Sequence, residues 1–416
     1  MRHITSPLAA LAIVVGLATG AALTAASLPV ASPDAVGLSK ERLQRVHELV
    51  ERHMKAGEIT GAVMLVARKG QVAYVDVAGT MDKEGRRPMR RDTVFRLASM
   101  TKPVVGVAVM MMLEEGRLRL GDAVSKYIPE FKDQRVAVLE EAGANGKPPR
   151  FHTVRAERDI TIKDLLTHTS GLSSGPMGQS EARKVRRTPT DTLATYIPRL
   201  GATPLEFQPG SRWMYSPSDG IDVLARVVEI VSGTAMNVFL KQRIFDPLDM
   251  PETSHYPTEA QMPRLVTAYG MADEGLFETQ NPLSMSSKVY FAGGGGLVST
   301  VDDYSHFAQM LANGGAFKGK QLLSPRTVRL MTSVHVPATL PGRVTGEGYG
   351  LSVRVIENAI AGNHRISNGS FGWSGAYGTH FWVDPIEEVV AVMMIQTPLR
   401  QMRPEFENAV MQAIVQ

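Results

Sequence analysis

The chain has 416 residues, 44% of them hydrophobic and 21% charged, with 38 Gly and 25 Pro; this balance suits a folded, enzyme-sized protein and excludes disordered and fibrous classes. It has no cysteine, which rules out a disulfide framework, a thiolate metal site, a cysteine nucleophile and lipidation on cysteine. The formal net charge is +4, and the basic clusters Arg86, Arg87, Arg90, Arg91 and Arg183, Lys184, Arg186, Arg187 lack aromatic interleaving, so they read as solvated loop charges and nucleic acid is not an expected partner.

At the N-terminus, Arg2 and His3 precede an apolar run from Pro7 to Leu23, and Thr24 and Ala26 follow at the spacing of a small-residue cleavage site. This predicts a signal peptide over residues 1–26, a mature chain beginning near Ser27 and an exported, periplasmic or secreted protein. A membrane is a partner only if the segment stays uncleaved as an anchor.

From Ser39 to Ala56, Leu43, Val46, Leu49, Val50 and Met54 recur at helical spacing and predict an amphipathic helix that stops at Gly57. Ala62–Ala67 and Val72–Val77 are β-rich and separated by Lys69-Gly70-Gln71, which predicts an antiparallel hairpin. Val104 to Leu113 is apolar all round, the mark of a buried helix, with Met110, Met111 and Met112 as core filler. Helices are expected at Ile160–Thr167, Ile221–Val231 and Val301–Leu311, the last capped by Thr300 with Asp303 three residues on. Strands return at Tyr349–Ile356, Thr379–Val383 and Val389–Ile395 before a final helix from about Pro404.

Strands at both ends with helices between imply one sheet split in sequence. The expected fold is α/β: an antiparallel sheet flanked by helices, plus an all-helical lobe. Residues 27–115 then form the first part of the α/β lobe, 116–343 a mainly helical lobe with active-site loops, and 344–416 the second part of the α/β lobe.

The chemistry centres on Ser99-Met100-Thr101-Lys102, the S-x-x-K of the chain, set where a loop enters the buried helix. A spacing of three brings both side chains to one helix face. Unpaired N–H groups and the positive end of the helix dipole suit an oxyanion there, and Pro103 fits a first helical turn. An amine held against an apolar helix loses water, which favours the neutral form that can take the serine proton. Two further elements stand in order behind it: Phe207-x-Pro209-Gly210-x-x-Trp213-Met214-Tyr215-Ser216, and Gly372-Trp373-Ser374-Gly375-Ala376 before a strand.

With Leu165-Leu166-Thr167-His168-Thr169-Ser170-Gly171-Leu172 and Gly293-Gly294-Gly295-Gly296-Leu297-Val298-Ser299-Thr300, these elements resemble the serine β-lactamases of class C, the carboxypeptidase-type penicillin-binding proteins and the family VIII carboxylesterases, over nearly all of the mature chain. The resemblance implies a β-lactamase/penicillin-binding-protein-like fold, Ser99 as nucleophile, Lys102 as its partner and Tyr215 as the phenol that relays protons. It further implies an oxyanion hole from the backbone N–H groups of Ser99 and of Ala376 on an edge strand, with Trp373, Ser374 and Gly375 against the substrate. Whether Lys102 or Tyr215 is the base stays open, since such a pair titrates as a unit.

Two departures direct the specificity. Tyr215-Ser216-Pro217 stands where lactamases have Tyr-x-Asn, and Trp373-Ser374-Gly375 where they have Lys-Thr-Gly. The amide for an acylamino group and the cation for a carboxylate are both missing from the motifs. An aromatic wall favours an uncharged acyl or alcohol group, so short-chain carboxylic esters are the expected substrates. The alternatives are a β-lactamase, a D-alanyl carboxypeptidase or D-amino-acid peptidase, and a non-hydrolysing protein that binds cell-wall peptide or β-lactam.

Other motifs carry less. Gly171-Leu172-Ser173-Ser174-Gly175 matches G-x-S-x-G but lacks the strand–turn–helix context of a nucleophile elbow. His168 reads as a hydrogen-bonded packing residue, since no acidic partner is placed for it. Gly293 to Gly296 reads as close packing near the active site and not as a dinucleotide loop. The ten histidines show no ligand spacing, so neither metal nor cofactor is expected; the partner is a small ester or amide.

Overall fold

The computed structural model describes residues 28–141, 150–279 and 288–416; the expected signal peptide lies outside them. Helix α1 (Lys40–Lys55) is capped by Ser39, whose side chain accepts from Arg42 N–H. Strands β1 (Gly61–Arg68) and β2 (Gln71–Gly79) form the expected hairpin, with Lys69 and Gly70 both at positive φ in the turn, the twist-matched way to join two strands in two residues. Helix α2 (Thr101–Glu114) is buried through almost its whole length; each large side chain withdrawn there contributes roughly 1.5–3 kcal/mol.

The expected strand Tyr349–Ile356 is in fact a hairpin of β3 (Glu347–Tyr349) and β4 (Arg354–Ile356). Its alternating pattern continues through the reversal, so sequence periodicity cannot reveal it. The turn is set by Ser352 at φ 67 and by Gly350, whose missing Cβ would sit 2.5 Å from the Met331 carbonyl. Strands β5 (Phe371–Ser374), β6 (His380–Asp384) and β7 (Val389–Met394) follow. The seven strands lie antiparallel in the order β3-β4-β5-β6-β7-β1-β2, so the last strand closes on the first.

Strands β1 and β7 are buried on both faces. Val63, Leu65, Val390 and Val392 join the larger core on the face covered by the helix Val301–Ala312, whereas Met64, Val66, Ala391 and Met393 pack under α1 and the final helix.

The lobe between the halves of the sheet is not all-helical. It holds α3 (Ile162–Leu166), α4 (Gly175–Lys184), α5 (Asp219–Ser232) and α6 (Val301–Ala312). It also carries hairpins at Arg135–Glu141 with Arg150–Arg155 and at Tyr269–Ala272 with Gly275–Glu278. Their strands are only four to seven residues long, too short for periodicity to tell strand from helix. Helix α3 is shorter than expected because Thr161 caps it reciprocally with Asp164. Helix α7 (Met402–Met411) closes the chain against α1.

Candidate active site

Ser99 sits in a single 3-10 turn, Ala98–Met100, that feeds α2. Ala98 is held at φ 45, a left-handed conformation that costs a non-glycine residue about 1–3 kcal/mol and persists only where the surroundings enforce it. The enforcement is visible: Leu97 N–H donates to Leu297 O (2.9 Å), Tyr304 O–H to Met100 O (2.8 Å), and Leu297 N–H to Thr101 Oγ1 (3.2 Å).

The structure brings the three expected catalytic side chains together. Tyr215 O–H donates to Ser99 Oγ at 2.6 Å, and Lys102 Nζ lies 3.1 Å from the same oxygen. Lys102 is fully buried, and its Nζ also donates to Pro217 O at 2.6 Å and Gly294 O at 2.5 Å. Carbonyls only accept, so they claim two N–H groups; the remaining tetrahedral position faces Ser99, either as a third N–H or as the lone pair of an amine.

Sequence reasoning missed the residue that builds this cage. Asp222, on α5, accepts from Gly294 N–H at 2.7 Å and from Tyr290 O–H at 2.7 Å, which holds the glycine run so that Gly294 O meets Lys102. Burial pushes its carboxyl up, against the pull of those donors. The signal was there, a carboxylate inside the apolar run Ile221–Val231. The glycines do allow close packing: a Cβ on Gly293 would meet Ile221 O at 2.7 Å, and one on Gly294 would meet Ser218 O at 2.8 Å.

His168 packs edge-on against Tyr215, with ring centroids 4.7 Å apart, and accepts from Ser216 N–H at 3.3 Å. Burial, with Lys102 and Arg343 nearby, holds its imidazole well below the ordinary range, so it stays neutral. Trp213, Tyr349 and Trp373 complete an aromatic wall around Tyr215, with Trp373 5.7 Å and Trp213 6.4 Å from it.

Strand β5 pairs with β4 only through Phe371 and Gly372, so Trp373 and Ser374 pair with β6 alone and leave an open edge. Ala376 is not on that strand, contrary to expectation; it lies in the turn between β5 and β6, closed by Gly375 N–H donating to Thr379 O at 2.7 Å. Gly375 is demanded by space, since a Cβ would fall 2.3 Å from Leu97 O. Neither the Ser99 nor the Ala376 N–H has a backbone acceptor among the described residues, and both residues line the cleft.

Ser374 Oγ lies 2.9 Å from His380 Nδ1, and behind it Glu407 meets His380 Nε2 (3.2 Å) and Arg354 (2.5 Å), while Arg354 reaches Glu347 (3.1 Å). Burial alone would push the Glu407 carboxyl up, but Arg354, His380 and Arg403 hold it far below the usual carboxylate range.

Two arms run from Ser99. The smaller, about 300 Å³, is bounded by Trp373, Ser374 and Gly375 and also by Arg400 and Arg403. The motif position lacks a cation, but the start of α7 supplies two from another part of the chain, which corrects the expectation that this side of the site is uncharged. The larger arm, about 750 Å³, carries Arg183, Arg186 and Arg187 on its wall; Arg183 and Arg186 are exposed, as expected of solvated charges, but they border the cleft. Ser173 lines the same arm, buried and at φ 45, beyond any nucleophile's place at α2.

The beta-lactamase family model matches residues 46–416. Protein Rv1367c of Mycobacterium tuberculosis is 34% identical over 82% of this chain and 86% of its own length. Esterase EstB of Burkholderia gladioli is 29% identical over 94% and 99%. The solved structure of EstCE1, described as a hydrolase with promiscuous acyltransferase activity, superposes with a TM-score of 0.75 at 28% identity, covering 89% of this chain and 99% of that one. With its split antiparallel sheet and its serine–lysine–tyrosine cluster, the chain belongs to the beta-lactamase family of serine hydrolases.

Proposed function

We propose that the protein hydrolyses carboxylic esters, short-chain ones among them, through an acyl-enzyme on Ser99. The observation that carries this reading is the Ser99 oxygen held between Tyr215 at 2.6 Å and Lys102 at 3.1 Å, with the other two Lys102 contacts fixed on carbonyls. As Ser99 Oγ attacks the ester carbonyl, its proton passes to the Lys102–Tyr215 unit. The oxygen that gains charge is met by the Ser99 and Ala376 N–H groups, the electrostatic contribution that dominates acyl transfer. The unit returns the proton to the departing alcohol, and water then attacks the acyl-enzyme by the reverse route. The leaving oxygen must lie near the Tyr215 hydroxyl, so the alcohol faces the Trp373 wall and the acyl chain enters the larger arm. Similarity to EstB and EstCE1 supports ester over lactam chemistry, as does Pro217 in place of an amide side chain.

A second reading rests on Arg400 and Arg403 in the smaller arm: a leaving group that carries a carboxylate, as a C-terminal D-amino acid does. Wild type and Ser99→Ala assayed side by side on p-nitrophenyl esters, a chromogenic cephalosporin and a D-amino-acid amide separate the readings. Ser99-dependent turnover is expected on the esters; turnover of the amide or cephalosporin alone would replace the first reading by the second.

A further inference from the structure

The larger arm is bigger than a short alkyl group requires, and its wall carries charged side chains. Its volume of about 750 Å³ is in the range of sites that hold whole drug-sized ligands, and its wall beyond Ser99 is built from Ser173, Gln179, Asp219 and the arginines of the α4 end. The charges there are unequal. Arg187 lies over the Tyr290 ring, 3.9 Å from its centroid, and its field reaches Asp219 and Asp222. Asp222 is already engaged by Tyr290 and Gly294. Arg183 and Arg186 make no ion pair among the described residues, whereas Lys184 between them turns away to Glu181 at 2.6 Å. The buried Ser173 hydroxyl is directed at the Asp219 carboxyl. Two guanidinium groups with no ion pair among the described residues, on one wall of the arm, suit an anionic acceptor, since a guanidinium offers a planar fork of donors matched to a carboxylate.

We propose that the larger arm holds an acyl chain ending in a carboxylate, so that the natural substrate is a half-ester of a dicarboxylic acid. This rests on the reading of the protein as an ester hydrolase. Arg183 and Arg186 bind the distal carboxylate, while Ser99 attacks the ester carbonyl at the other end of the same chain. Specificity then comes from charge at a distance from the reaction, and alkyl esters of equal length are poorer substrates.

The test uses chains matched in length. Wild type should show kcat/KM at least about ten-fold higher for p-nitrophenyl hydrogen adipate than for p-nitrophenyl hexanoate, an advantage that shrinks as salt is added. In Arg183→Ala/Arg186→Ala the ratio of the two should fall about ten-fold, and in Lys184→Ala, which removes from the same stretch a positive charge that pairs with Glu181, it should stay at the wild-type value. If the double variant does not fold, Arg183→Gln and Arg186→Gln singly serve. Calorimetric binding of monomethyl adipate and methyl hexanoate to Ser99→Ala reads the site without turnover, so a failed ester assay leaves it measurable. Preference for hexanoate in wild type, a ratio unmoved by the double variant, an equal fall in Lys184→Ala, or equal binding of the two methyl esters would each overturn the proposal.

Discussion

Two buried basic side chains, Arg354 and Lys102, lie close to the cleft, and their surroundings differ in kind. Arg354 is met by Glu347 at 3.1 Å and Glu407 at 2.5 Å, and all three side chains are nearly excluded from water. Lys102 is just as buried, but two carbonyls and a serine hydroxyl face it. Paired carboxylates fix a charge in place. Neutral acceptors satisfy two N–H groups and leave the third position free to exchange a proton, so one cation is part of the scaffold and the other part of the chemistry. The first kind should fail in stability and the second in rate.

The sharpest break of this contrast is Lys102→Met. Loss of a general acid–base partner should reduce ester kcat/KM by roughly 10³–10⁴-fold, measured on purified protein, while urea denaturation should place stability within about 2 kcal/mol of wild type, because the freed carbonyls are offset by removal of a desolvated amine. A large stability loss with turnover retained would reverse the assignment. Glu407→Gln should do the opposite: about 3–5 kcal/mol of stability lost, as expected when one partner of a buried ion pair is removed, with kcat/KM of the folded enzyme changed by less than about ten-fold.

The next test concerns Asp303, whose carboxyl burial pushes up to about 7 although it accepts from Thr253 and Glu252. Its folded pKa lies above the unfolded value near ~4, so the native state holds the extra proton between the two. Stability from this group is therefore present below about pH 4 and declines as pH rises to about 7, by roughly 4 kcal/mol in total. Asp303→Asn should flatten that decline in melts taken across the window; an unchanged slope would mean Asp303 is ionised throughout. The smallest effect is expected for Arg400→Ala. This side chain is exposed, so its loss should weaken carboxylate-bearing β-lactams or peptides by about two- to five-fold without shifting the turnover of neutral esters by a similar factor.

What could be read from the sequence follows the range of the interactions involved. The β1–β2 hairpin, the buried helix and the Thr300 cap depend on neighbours a few residues away, and Ser99 and Lys102 are linked by helical spacing alone. Tyr215 and Ala376 came only from the resemblance, because nothing local to either points to Ser99. Asp222, Arg183 and Arg400 were passed over or taken for ordinary charges. Their meaning depends on which side of a helix or loop faces the cleft, and that is settled by packing between segments that are not neighbours in sequence. The β3–β4 reversal was hidden for the same reason, as its glycine is required by the Met331 carbonyl and not by its own neighbours.

The closure of the sheet also bears on how the molecule comes into being. Strand β1 is buried on both faces and bonded along its length to β7, and beside them Arg68 pairs with Glu387, 319 residues further on. During synthesis the apolar first hairpin therefore waits, without its central partner, until almost the last residues emerge. Contacts this distant in sequence form slowly and leave unpaired strand edges open to association in the interval. A chain truncated before Val389 would lack the strand that joins the two ends, and the fate expected for it is aggregation rather than a smaller active enzyme.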